Sequence, residues 1–411
     1  MTTSPTPPSK PRRRWRRIVG GLSLAVVLLL TLLMFDAWKA LGTKPAGERL
    51  VRLEASPQYR DGRFVNVLPQ GNAAPSMGTM REFFFGGSDH RTPAAPPPTV
   101  ARTAADFAAM PDDLRVTWLG HSTFLIELDG VRLLIDPVWG ERVSPSSFIG
   151  SRRFHAPPLP LDALPPVDAV LISHDHYDHL DFPTIRTLAS PAFADRVPRF
   201  LVPLGIGAHL EYWGVDPARI EEVDWWDEKE VGTGTNTVRL VSTPARHFSG
   251  RFVNDRDATL WTGWAFLGAE RRVFYSGDTA LTPSFAEVGE RLGPFDLTLI
   301  EVGAYNEAWS DVHLGPEQAV AVHRMVRGEV MMPVHWCTFD LSLHGWTEPA
   351  ERVRTAADAL GIPVAFPRPG EHVTLDAVPT AAWWPALPWD TAAEAPAVST
   401  GLPDEVRALV P

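Results

Sequence analysis

Apolar residues fall along this chain in distinct regimes. Near the N-terminus Ile18 to Phe35 is an almost unbroken apolar run, interrupted only by Gly20, Gly21, Ser23 and Thr31. Extended through Trp38 it makes 21 residues, about the 20 that a bilayer-crossing helix needs. Met1 to Lys10 ahead of it is rich in Pro, Ser and Thr and reads as disordered. Residues 45–98 are mixed and loop-rich. From Val116 onward short apolar runs recur: Val116–Gly120, Thr123–Leu128, Val131–Asp136, Asp168–Ser173, Phe200–Pro203 and Val238–Thr243. They continue as Leu260–Leu267, Arg272–Ser276, Leu297–Val302, Val330–Val334, Val364–Pro367 and His372–Leu375. Their lengths and β-branched content predict strands, and Asp129-Gly130 between two of them predicts a type I′ hairpin. Pro283–Leu292, Pro316–Val326 and Pro349–Leu360 predict helices, each with Pro at the first turn. Strands mixed with helices imply an α/β or α+β chain with a large sheet system.

Charge sharpens the N-terminal reading. The chain of 411 residues carries a net −11, but residues 1–44 hold eight basic residues against Asp36, a local +7, which leaves −18 for the rest. So acidic a body has no footprint for a nucleic-acid backbone. Five arginines at positions 12–14, 16 and 17 precede the apolar run and hold the N-terminus in the cytoplasm. Asp36 to Gly42 contains no small-x-small cleavage pair and no cysteine follows. The expectation is therefore an uncleaved, single-pass signal anchor with the remainder extracytoplasmic; a cleaved signal with a soluble exported product is the alternative. The organisation is expected to be a basic N-terminus (1–17), an anchor (18–38), a linker and arm (39–98), a catalytic domain (99–376) and a tail (377–411). The lone Cys337 excludes an internal disulfide and reads as a buried bystander.

The chemistry centres on Leu171-Ile172-Ser173-His174-Asp175-His176-Tyr177-Asp178-His179. An apolar strand runs into H-x-H-x-D-H, imidazole and carboxylate donors that suit zinc or iron. Further along, three apolar strands each end on one polar donor: His247, Asp278 and His335.

This set resembles the metallo-β-lactamase fold. The resemblance implies a four-layer αββα sandwich with a dinuclear metal cleft at one edge of its two sheets, here preceded by one transmembrane helix. It implies His174, His176 and His247 on one metal, Asp178, His179 and His335 on the other, and Asp278 bridging both. Asp136 would prop the metal loop from outside. A more specific resemblance, over roughly Phe83 to Asp376, is to the N-acylphosphatidylethanolamine-hydrolysing phospholipase D family. It is carried by Thr117-Trp118-Leu119-Gly120-His121-Ser122, Ser144-Pro145-Ser146, Leu164 through His174, Gly303-Ala304-Tyr305, His313-x-x-Pro316-Glu317 and His335-Trp336-x-Thr338-Phe339. Glu301, and a shorter acidic stretch between Trp309 and His313 containing Asp311, depart from the family pattern and bear on lipid specificity rather than on the metal ligands.

The resemblance implies two zinc ions per chain, with iron or manganese as alternatives, and a metal-activated hydroxide attacking the phosphodiester of a phospholipid. Asp178 would orient the attacking water as well as ligate. His313 would donate to the phosphate or the leaving oxygen. His121 is expected to contact the metal loop, and Tyr305 and His344 to line the cleft. The Trp225-Trp226 and Trp383-Trp384 pairs read as core caps or tail pins before acyl guides. Two other functions stand beside the phosphodiesterase: a metal-dependent lactonase or ester hydrolase of the same fold, and a non-hydrolytic exported metal-binding module. The oligomeric state is not encoded in any of these patterns.

Overall fold

The computed structural model describes residues 12–71, 76–234 and 236–411. The Pro/Ser/Thr-rich stretch through Lys10 lies outside them, as do the side chains of the arginine cluster at 12–14, 16 and 17. Helix α1 (Arg12–Ala37) covers the first apolar run. Its Ile18–Ala37 portion has a mean hydropathy of 2.7 and is largely exposed, with Ala37 buried at its end. It is long and apolar enough to cross a membrane, as a span or a signal sequence.

In chain order the strands that build the body are β1 (Arg115–Gly120), β2 (Thr123–Leu128), β3 (Val131–Ile135), β4 (Ala169–Leu171), β5 (Phe200–Pro203) and β6 (Ile220–Val223). They continue with β7 (Glu228–Thr233), β8 (Asn236–Thr243), β9 (Gly263–Leu267), β10 (Arg272–Tyr275), β11 (Phe295–Glu301), β12 (Gly328–Val334) and β13 (His372–Val373). One mixed sheet has the order β6-β5-β4-β3-β2-β1-β13 and the other β7-β8-β9-β10-β11-β12. The helices packed on them are α2 (Phe182–Ala189), α3 (Gly207–Tyr212), α4 (Ser284–Leu292), α5 (Pro316–Met325) and α6 (Glu348–Asp358).

Strand periodicity explains the layering. Val116, Trp118, Phe124, Ile126, Leu133 and Ile135 turn toward the second sheet and join Leu240, Trp264, Phe266, Val273 and Tyr275 in one core. Their alternates Leu119, Leu125, Leu134 and Val170 turn outward and pack with Ile185, Leu188 and Leu210 of α2 and α3. Phe285, Val320, Val322 and Val353 bring α4, α5 and α6 into the first core from the other side. The result is a four-layer αββα sandwich. Strands buried on both faces need apolar residues at successive positions, so they read as continuous runs in the sequence.

Two strands escaped that reading. β6 and β7 are edge strands carrying Glu221, Glu222, Glu228, Lys229 and Glu230. Charge on an edge discourages pairing with other chains, and it removes the apolar signal. Conversely, Val364–Pro367 makes only one bridge, Val364 to Met331, and is not a strand. Leu128 pairs with Val131 across Asp129 (φ 50°) and Gly130 (φ 74°), the two-residue hairpin that Asp-Gly predicts.

The arm and the tail meet beside the site. Asn66 exchanges hydrogen bonds with the backbone of His247 at 2.8 and 3.0 Å. Buried Asp311 accepts from the backbone of Gly71 and of Thr400, both at 2.7 Å, and faces Arg246 at 3.1 Å. Trp384 donates to Glu351 of α6, and Trp383 stacks on Trp336 at 5.6 Å, so this pair pins the tail.

Candidate metal centre

Parallel register gathers the polar residues. Ile135 pairs with Leu171, so Asp136 and Ser173 leave β3 and β4 side by side. Tyr275 pairs with Leu299 and Glu301 with Val334, so Asp278, Glu301 and His335 emerge together from β10, β11 and β12. Thr243 pairs with Gly263 beside Tyr275, which delivers His247 to the same end. The Trp264 indole donates to the Ile172 carbonyl at 3.1 Å and ties the two sheets there. Carboxyl ends of strands are where sheet proteins of this kind place ligands.

Among the described residues, three groups of four side chains have the spacing to hold a metal ion: His174, His176, His247 and Asp278; His121, Asp178, His179 and His335; and Asp278, Glu301, His313 and His335. In the first, Nδ1 of His176 lies 2.9 Å from Nε2 of His174 and 3.2 Å from Nε2 of His247. Four ligands at about 2.1 Å around a tetrahedral ion stand roughly 3.4 Å apart, close to this spacing. In the second, Oδ2 of Asp178 is 2.9 Å from Nε2 of His121, 3.5 Å from Nε2 of His179 and 3.3 Å from Nε2 of His335. Asp278 stands between them: its Oδ2 is 3.1 Å from Nε2 of both His179 and His335, and 3.7 Å from Nε2 of His174.

The donor set fits metal ions. Nε2 of His179, Nε2 of His335 and Oδ1 of Asp278 are buried without a hydrogen-bond partner. Buried polar atoms are rarely left so. Both imidazole nitrogens lie 3.1 Å from Oδ2 of Asp278, the spacing of ligands gathered on a common centre. Burial, with the neighbouring imidazoles, holds His174 and His247 well below the usual histidine range, so both rings are neutral donors. Burial opposes the ionisation of Asp278, but the His179 and His335 rings outweigh it and hold the carboxyl well below its ordinary value. Burial depresses His121 to about 3, helped by His335.

The outer hydrogen bonds aim the rings. Asp136 lies 2.9 Å from Nδ1 of His179 and accepts from the Ser173 backbone and hydroxyl at 2.7 and 2.6 Å and from the Tyr275 hydroxyl at 2.7 Å. His247 Nδ1 donates to the Val312 carbonyl at 2.8 Å. Asp136, His121 and His335 all sit at positive φ (40°, 53° and 66°), a backbone cost that functional sites characteristically carry.

Residues 131–336 match the Beta-lactamase superfamily domain. The chain belongs to the metallo-β-lactamase superfamily. It is a metal-dependent hydrolase of that superfamily. An uncharacterized protein of Mycobacterium tuberculosis is 46% identical over 369 residues, 88% of this chain and 96% of its own length. N-acyl-phosphatidylethanolamine-hydrolyzing phospholipase D 1 of Caenorhabditis elegans is 36% identical over 264 residues, covering 62% of this chain and 73% of that one. Igni18, a metallo hydrolase of the archaeon Ignicoccus hospitalis, aligns over 63% of this chain and 97% of its own at 23% identity and a TM-score of 0.49.

His313 enters with Nδ1 2.9 Å from Glu301 and 3.9 Å from Asp278. Tyr305 and His344 stack at 4.4 Å and line a cavity of about 810 Å³. His344 also borders the small pocket that touches His335. Glu301, the departure from the family pattern expected to bear on lipid specificity rather than on the metal ligands, instead stands among the donors Asp278, His313 and His335. It is fully buried and also accepts from the backbone of Thr279 at 2.6 Å and Leu314 at 3.2 Å. Its signal was a carboxylate at the end of an otherwise apolar strand, the same signal that marked His335.

Proposed function

We propose that the protein is a membrane-anchored, zinc-dependent phosphodiesterase of the phospholipase D type, acting on N-acyl-phosphatidylethanolamine or a closely related phospholipid. The observation that carries this reading is the position of Asp278 between two sets of imidazoles, which suits a dinuclear centre. The C. elegans relative supports the substrate class, since its name states that activity and it is 36% identical. His174, His176 and His247 would hold one ion and Asp178, His179 and His335 the other, with Asp278 within reach of both.

Such a pair of ions supplies an activated water and offsets charge on the phosphoryl oxygens. Asp178, steadied by His121, orients the attacking water. His313 gives a proton to the leaving oxygen, and the buried Glu301 carboxylate beside it stabilises the imidazolium that carries this proton. One water is consumed, the P–O bond to the N-acylethanolamine breaks, and a phosphomonoester remains. Tyr305 and His344 wall a neighbouring part of the substrate cleft. The catalytic domain spans 99–376, with 39–98 and 377–411 packed on it as arm and tail. Helix α1 is the uncleaved anchor, and the arginines before it keep the N-terminus cytoplasmic and the catalytic domain outside.

The test uses the full chain in detergent. Bound zinc, iron and manganese are measured, and N-acyl-phosphatidylethanolamine, a bis-nitrophenyl phosphodiester and a lactone panel are offered to wild type and Asp278→Asn. About two zinc ions and phosphodiester cleavage that the variant loses support the reading. Cleavage of lactones but of neither phosphodiester overturns it.

A further inference from the structure

The chain does not leave α1 on a free tether. Asp36, at the end of the helix, holds the loop at 144–149: its carboxylate accepts from the Ser146 hydroxyl, the Ser147 backbone and the Ser147 hydroxyl at 2.8, 2.7 and 2.8 Å. Just beyond, the Lys39 carbonyl accepts from the Trp213 indole at 2.7 Å, and the Ala40 carbonyl from Nε of Arg251 at 2.9 Å. Gly42 (φ 73°) lies so close to His209 that a Cβ would stand 2.1 Å from its Nδ1. The same Arg251 guanidinium donates to the carbonyls of Asp175 and Leu180 in the histidine-rich loop. Helix end and site loop thus share one buried cation, and the pose of the domain relative to the α1 axis is set by packed contacts.

Around that junction large apolar side chains face solvent. Phe148 is 72% exposed, Ile149 56%, Phe252 45% and Val253 88%. Exposed Trp38 and Tyr212 meet edge to face at 6.2 Å. Phe252 and Val253 line a cavity of about 420 Å³ together with Met34, Ala37 and Leu41 of the helix end. Scattered exposed apolar residues are ordinary, but a patch of them continuous with a bilayer-length apolar helix has the make-up of an interfacial seat, aromatic rings included.

We propose that this face is a bilayer-docking surface. The tips Phe148-Ile149 and Phe252-Val253 insert at the headgroup–acyl boundary of the leaflet that α1 leaves, with Trp38 and Tyr212 at headgroup level. The occupant is the lipid leaflet because the patch continues the surface of α1 itself; the inference rests on α1 being a membrane span. The consequence is functional. The chain runs from Phe252 back to Phe248, whose ring is 4.4 Å from His176. A domain seated this way keeps its metal cleft beside the leaflet instead of swinging on a linker.

Cys337 is buried, so an introduced surface cysteine can be labelled selectively. The full chain is reconstituted in vesicles of phosphatidylcholine and phosphatidylglycerol with an environment-sensitive fluorophore at Phe148→Cys, Val253→Cys, Leu28→Cys or Glu405→Cys. Lipid spin-labelled near the glycerol end of its acyl chains is the quencher. Quenching at 148 and 253 several-fold above that at 405, with a blue-shifted emission, is the expected result. Water-like emission at 148 and 253 while 28 is quenched overturns the docking surface and leaves the span intact. Water-like emission at 28 as well overturns both. None of these readouts depends on hydrolysis, so failure of the docking and failure of the proposed reaction are separable.

Discussion

The Glu301 carboxylate lies 2.9 Å from Nδ1 of His313, in a pocket where Glu301 has no exposed surface. A buried acid beside a histidine at the edge of the donor cluster is an arrangement for holding an imidazole in one orientation. Glu301→Gln keeps the shape and removes the charge. It is expected to lower turnover of N-acyl-phosphatidylethanolamine by about 10- to 100-fold. A nitrophenyl diester, whose leaving group needs no proton, is expected to be affected far less. Equal losses on both substrates would remove His313 from the proton-donor role.

Asp136 touches none of the proposed ions yet orders the ring of His179 together with Ser173 and Tyr275. Asp136→Asn is expected to weaken metal binding by about 10- to 100-fold. Chelator titration followed by metal analysis reads this directly, and wild-type retention would show that the ring is held without it.

Gly303 packs against the site from behind. A Cβ there would stand 1.9 Å from the His335 carbonyl oxygen, a backbone atom with no rotamer to yield. Gly303→Ala is expected to cost about 1–3 kcal/mol of stability and to displace His335. Thermal unfolding and metal stoichiometry together report it. A variant with unchanged melting and a full metal complement would show that the strand ends can separate freely.

His323 in α5 is buried beside Thr298, and burial lowers it from 6.5 to about 4. Between those values the unfolded chain binds more protons than the folded one, so stability rises with pH across that window. The penalty is absent above about pH 6.5, grows as the pH falls and is complete below about 4. His323→Gln is expected to lose about 2 kcal/mol less than wild type between pH 7 and pH 5, measured by denaturant unfolding at each pH. Equal losses would show that this histidine is not held neutral.

Removing the metal should loosen the same end of the sandwich. Ligands that bind only the folded state raise its apparent stability in proportion to their occupancy. Exhaustive chelation is therefore expected to lower the melting temperature of wild type, with restoration by added zinc. Asp278→Asn is expected to show a smaller drop, because less metal is bound at the outset.

Some of this protein is written in short stretches of sequence. The 18–37 apolar run, the Asp129-Gly130 hairpin and the strands buried on both faces depend on residues within a few positions of each other, and one or two turns of periodicity reveal them. The H-x-H-x-D-H loop is legible for the same reason: its donors are neighbours in the chain. His247, Asp278 and His335 were visible only as polar ends of apolar strands. Tertiary structure alone decided that β10, β11 and β12 lie parallel in a register that gathers those ends, that Glu301 reaches His313, and that Arg251 joins the end of α1 to the histidine-rich loop. The edge strands β6 and β7 were hidden because exposure lets charge replace apolar residues. The physical divide is range. Backbone propensity and burial act locally and leave a pattern, whereas pairing register and side-chain contacts between separate elements are set by packing the whole sandwich and leave no local trace.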